Sequence, residues 1–160
     1  MARDVKWAIK EAEEKNEISK ITVEDDVKKK LCSNAKAGSV KMFIASIIVL
    51  AVALAIAFAI VAFANIIIYS VKMVIFYILI LIFPIYAVYN IISTAKAVKN
   101  GDYDFYSGEI VTKTTDGYQV KGLEDQKLNF LSIAKPKDEL KTGDRVKIFR
   151  INDELDLFDL

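Results

Sequence analysis

Residues 42–95 read MFIASIIVLAVALAIAFAIVAFANIIIYSVKMVIFYILILIFPIYAVYNIISTA, 54 residues in which Lys72 is the sole charged side chain. One straight helix of that length would run about 80 Å at 1.5 Å per residue, against a hydrocarbon slab about 30 Å thick. The chain is therefore expected to turn and cross twice. Two crossings of about 20 residues each leave room for only a short reversal, expected around Ile67 to Lys72. Helix is the expected form, because lipid offers no partner to a backbone N–H or C=O and a helix satisfies both within one segment. Two helices buried in a large soluble core would need apolar sequence to cover them all round, and the rest of a 160-residue chain has too little. A cleaved signal peptide is not expected, since the apolar run starts at residue 42 and is far too long for one.

Orientation is read from the cationic flanks. Lys28, Lys29, Lys30, Lys36 and Lys41 precede the first span and Lys96 and Lys99 follow the second, whereas Lys72 alone lies by the turn. That asymmetry predicts an integral cell-membrane protein with both termini cytoplasmic. Tyr69 is expected at the outer interface and Tyr86 and Tyr89 nearer the inner one. Trp7, Lys28, Lys29 and Lys30 are candidates for contact with the membrane surface, and Lys72 for an anchor that snorkels to the outer headgroups.

The two spans differ in chemistry. The first alternates alanine with larger apolar residues, which puts Ala51, Ala55, Ala59 and Ala62 on one stripe and Ala53, Ala57 and Ala64 on another. Small residues let helix backbones approach closely, so one stripe is expected to take the second span and the other a neighbouring protomer, giving a homo-oligomer. The competing reading is that alanine is simply common in membrane helices. The second span is bulkier and carries Pro84, expected to kink it. No other ionisable group lies at depth, which disfavours an ion-coupled transporter.

Outside the spans the net charge of +1 is unevenly spread, at +2 over residues 1–41, +3 over 42–100 and −4 over 101–160. An acidic tail is a poor match for phosphate backbones, so no nucleic-acid partner is expected. Residues 1–38 read as a charged helical cytoplasmic arm in two pieces. Val5, Ala8, Ile9 and Ala12 share a face of the first, and Val23, Val27 and Leu31 form a stripe on the second after Thr22 and Asp25, which resemble a capping box. Gly38 and Ser39 punctuate its end. The hairpin occupies 39–96, and 97–103 is a linker. Residues 104–160 change period: YSGEIVTK, YQVKG, KLNFLSI, RVKIFRI and ELDLFDL are five β-prone runs, with turn signals at Asp116-Gly117, Pro136, Gly143-Asp144 and Asn152-Asp153. Five short strands predict a small closed or nearly closed all-β barrel of OB or SH3 type, whose closure would hide its edges.

The run LKTGDRVKIFRINDELDL, preceded by SGEIV and DGYQVKG, resembles the C-terminal barrel of the NfeD-like membrane proteins. Leu140, Gly143, Asp144, Val146, Ile148, Ile151 and Leu155 carry the likeness, over roughly the last third of the chain. The resemblance implies a small OB-type domain after a few membrane helices, a protein partner of the stomatin or flotillin type, and no catalysis by the barrel.

The sequence holds no histidine and one cysteine, Cys32. The usual general base, Ser-His and Cys-His pairs and a cysteine zinc site are thereby excluded. Its six glycines form neither a dinucleotide fingerprint nor a phosphate loop. Asp102 with Asp104, and Asp153, Glu154 and Asp156, follow no calcium-loop pattern and read as turn acids, while Glu109 is expected to pair with Lys113 or Lys121 across strands. No enzyme, cofactor or metal is expected. The leading expectation is a non-enzymatic, cytoplasm-facing adaptor or scaffold that binds a protein partner at the inner membrane face. Its contacts are drawn from Phe105, Tyr106, Tyr118, Phe149 and Phe158, wherever these are exposed. The alternative is a subunit of an oligomeric pore with the barrel as cytoplasmic vestibule, disfavoured because neither span has a polar stripe to line water, Asn65, Ser70 and Asn90 lying near the ends.

Overall fold

The computed structural model describes residues 4–64, 71–115, 117–136 and 140–159, and the side chains of all of these except 60–64 and 71–77. The chain divides into two compact units, residues 35–96 and, together, residues 1–34 and 97–160.

The first unit is built on two long helices, α2 (Asp25–Ala64) and α3 (Val71–Asn100). Of the expected reversal at 67–72, residues 67–70 lie outside the described residues and Val71 and Lys72 already belong to α3; Ser39 Oγ donates to Thr94 Oγ1 at 3.0 Å, and Asn90 Nδ2 lies 3.6 Å from Met42 Sδ, so the helices run antiparallel. The residues turned inward on α2 are Ser39, Phe43, Ser46, Leu50, Ala53 and Ala57, spaced alternately by four and three. On α3 they are Ile80, Pro84, Ala87, Ile91 and Thr94, spaced the same way. That is the seven-residue repeat of two helices crossing at a shallow angle, and its small members let the backbones come close. The stripe containing Ala53 and Ala57 faces α3, whereas Ala51 and Ala55 are exposed and Ala59 half-exposed; the side chain of Ala62 lies outside the described residues, as does that of Lys72. Gly38 and Ser39 do not end a helix. α2 passes through them without a break, and Ser39 Oγ also lies 3.2 Å from the Ala35 carbonyl oxygen.

In the second unit β2 (Tyr103–Thr114) is the spine. Its first half pairs antiparallel with β5 (Arg145–Ile151), from Tyr103 opposite Ile151 to Glu109 opposite Arg145. A register shift between Ile110 and Thr112 bends the strand, and the second half forms a hairpin with β3 (Gly117–Val120). β6 (Glu154–Phe158) returns along β5 after Asn152, whose φ of 51° makes the tight turn, and β4 (Asn129–Phe130) pairs parallel with β6. All five β-prone runs thus supply strands. A sixth, β1 (Ser19–Lys20), comes from the N-terminal arm and pairs with Ser107 and Tyr106 of β2.

The sheet is open and mixed, in the order β1-β2-β5-β6-β4 with β3 on β2, and corrects the expectation of a closed barrel. The physical reason lies in KLNFLSI, which yields only two paired residues, in parallel with β6. From β3 a single-residue bridge, Tyr118 to Leu128, reaches the segment ahead of β4 and makes no ladder. The edge of β2 away from β5 is shared between β1 and β3.

Candidate functional site

The face of the sheet that carries Tyr106, Ile110, Val146, Ile148 and Leu157 is covered by α1 (Val5–Glu14), which turns Ala8, Ile9 and Ala12 into that core. These three fall on one side of a 3.6-residue helix, and Asp4 caps its start by accepting a hydrogen bond from Trp7 N at 3.1 Å. After α1 the chain reverses through Asn16, at φ 56°, and the Glu17 N–H donates to the Ala12 carbonyl at 2.9 Å. That turn delivers Ile18 to the core and β1 to the edge of β2. The arm is therefore an integral part of the sheet unit.

Charge fastens it there. Arg150, buried in β5, donates from Nη2 to Asp102 Oδ1 at 2.9 Å and to Asp104 Oδ2 at 2.7 Å, and from Nη1 to the Asn152 carbonyl at 2.9 Å. From the arm, Lys20 Nζ pairs with Asp104 and Lys6 Nζ lies 3.5 Å from Asp102. The hydrogen bond from Arg150 holds the Asp102 carboxyl below its ordinary range. Burial pushes Asp104 up, but the bonds from Lys20 and Arg150 outweigh it and leave that carboxyl depressed as well. The bond to Asp104 raises Lys20 in turn. The two acids read from sequence as turn residues are thus the hub of a five-membered ion network.

The opposite face is aromatic. Phe105 stacks on Phe149 with ring centroids 5.4 Å apart, and Phe158 and Tyr103 meet Phe105 edge-on at 6.0 Å. Lys28 Nζ lies 5.6 Å from the Tyr103 ring centroid. Of the five aromatics considered for partner contact, Phe105, Tyr106, Phe149 and Phe158 are buried; Tyr118 is half-exposed and packs edge-on against Phe130 at 5.4 Å. Trp7, Lys29 and Lys30 are exposed, as are Val111 and Ile133. Asp156 lies on the aromatic face, opposite Phe149. Burial, with a smaller contribution from the nearby Glu154 charge, pushes its carboxyl up to about 6. No sequence pattern marks it, because only the register of β6 turns it inward.

Among the described residues of this unit, clefts open at several places, three of which concern the site. One of about 190 Å³ lies between the segment Lys20–Val23 and β2, beside Lys28 and Tyr103. A smaller one of about 100 Å³ is lined by Phe130, Pro136, Leu140 and Phe158. The third, about 180 Å³, is polar and lies where β1 gives way to β3 along β2. Among the described residues no group of three or more His, Cys, Asp or Glu is placed to hold a metal ion. Glu109 faces Arg145 across the strands, and Lys121 meets it through its backbone N–H, which donates to the Glu109 carbonyl at 2.9 Å; among the described residues the side-chain ion pair expected with Lys113 or Lys121 does not form. Comparison with known proteins finds no family model, no curated protein and no solved structure that matches this chain.

Proposed function

We propose that the chain is an integral membrane protein whose α2–α3 hairpin crosses the bilayer with both termini in the cytoplasm, and whose arm-and-sheet unit is a non-enzymatic adaptor for a protein partner at the inner face. One observation carries the reading. The most apolar stretches of the two helices bury only 6% and 11% of their residues within the chain, and Ile48, Phe58, Phe83 and Ile85 are more than half exposed. A surface that large and that apolar requires a cover, and lipid fits two helices of these lengths.

The polar groups of the hairpin favour an anchor over a pore. Ser39, Ser46 and Thr94 are all buried in the seam between the helices, so among the described residues the outward faces offer little to line water. The resemblance of the C-terminal strands to the NfeD-like proteins makes a stomatin or flotillin type the partner to seek. With four of five aromatics in the core, contact falls to the exposed Trp7, Val111 and Ile133. Photo-crosslinking residues placed at these three positions in native membranes are expected to capture one protein at high yield that is not captured from Ile48 or Phe83. Capture of only lipid, or only further copies of this chain, would contradict the adaptor reading.

A further inference from the structure

Gly108 lines the polar cleft, and Gly122 packs against Glu17 at its side. At Gly108 a Cβ would stand 2.6 Å from Val120 Cγ1, and at Gly122, with φ at +79°, it would stand 2.7 Å from Glu17 Oε2. The backbones are therefore drawn in closely enough to hold Glu17 against the sheet. Four charged side chains line the cleft: Glu17 from the arm, and Glu109, Lys121 and Arg145 from the sheet. Two are acids and two are bases, yet among the described residues none of the four makes an ion pair, and the hydroxyls of Ser19 and Ser107 beside them make no hydrogen bond. Opposite charges facing one space without collapsing onto each other are complementary to a molecule that carries both signs. A volume of about 180 Å³ corresponds to about six water-sized volumes, or a ligand of about five to seven non-hydrogen atoms.

We propose that this cleft binds a small zwitterionic α-amino acid, with its ammonium group toward Glu17 and Glu109, its carboxylate toward Lys121 and Arg145, and the Ser19 and Ser107 hydroxyls as additional hydrogen-bonding groups. An ion of one sign would satisfy one pair and leave the other facing it, which is the basis of the selectivity. Because Glu17 and Ser19 belong to the arm and the other residues to the sheet, the ligand bridges the two and favours the docked arm by mass action. The inference goes beyond the adaptor reading and does not depend on it.

The test uses the full-length protein in detergent micelles, titrated with glycine and L-serine and, in parallel, with acetate and with methylammonium at matched ionic strength. The backbone amide resonances of Gly108 and Gly122 are followed. Saturable shifts with both amino acids are expected, with at least about tenfold weaker binding of either half-molecule and about tenfold weaker glycine binding by Glu17→Gln and by Lys121→Met. Absence of saturable shifts, equal binding of acetate or methylammonium, or unchanged affinity in the folded variants would overturn the proposal. Should a variant fail to fold, the comparison of whole and half ligands on the unaltered chain decides alone.

Discussion

Arg150 keeps only 8% of its side chain exposed while its guanidinium serves Asp102, Asp104 and the Asn152 carbonyl, so its removal takes away the cation the two carboxylates share and leaves them only the exposed Lys6 and Lys20. Arg150→Met is expected to destabilise the sheet unit by about 3 kcal/mol, at the low end for a broken buried pair because Asp102 is 43% exposed. Denaturant unfolding followed by the fluorescence of Trp7 measures it. Asp156 behaves oppositely. Below about pH 4 its carboxyl is protonated in the folded and the unfolded chain alike, and as pH rises toward about 6 the unfolded chain ionises while burial keeps the folded one neutral. Stability is therefore lost through that window and stays lower above it. Asp156→Asn should raise stability at pH 7 by about 1 to 3 kcal/mol, with the gain vanishing near pH 4; a gain that persisted at pH 4 would show that ionisation is not its cause. For Asp102 and Asp104, whose folded pKa values are depressed, the contribution is present above the ordinary carboxylate range and lost as pH falls below it.

The helices were more legible than the sheet, for a physical reason. A run such as LAVALAIAFAIVAFA has one solution in lipid, and its two alanine stripes limit the faces along which α3 can pack, although the pattern of alanines does not reveal that Ser39 and Ser46 continue the Ala53 stripe toward the N-terminus. Ala87 is fully buried in that seam and stands level with Ser46 in the register set by Ser39 and Thr94. Ala87→Leu should wedge the helices apart and lower the yield of a disulfide engineered between positions 39 and 94, whereas Ala51→Leu, on the exposed stripe, should leave that yield unchanged. A loss with Ala51→Leu would mean that the wrong stripe has been assigned to the pair. The β-prone runs and their turns could be read from alternation and from Asn152-Asp153 or Gly143-Asp144, but barrel closure could not. It depends on how many residues of KLNFLSI find partners, and that is decided by packing against Tyr118 and β6. β1 was hidden altogether: Ser19 and Lys20 have no strand pattern, and it is the edge of β2 that makes them a strand. The polar cleft beside Gly108 was equally out of reach, because its four charges come from positions 17, 109, 121 and 145.

At the scale of the whole molecule, the arm and the C-terminal strands share one core although the hairpin of residues 35–96 separates them in the chain, so they must fold on the same side of any membrane the hairpin crosses. An even number of crossings satisfies that requirement and an odd number does not. In the orientation we propose, the positive flanks place that side in the cytoplasm. Single cysteines introduced as Glu14→Cys and Thr142→Cys, at exposed positions in a Cys32→Ser background, allow this to be measured with a membrane-impermeant maleimide on sealed, right-side-out vesicles. Both positions should be protected until the vesicles are permeabilised, and should then label together. Labelling of one from outside with the other protected would contradict the hairpin and the shared core at once.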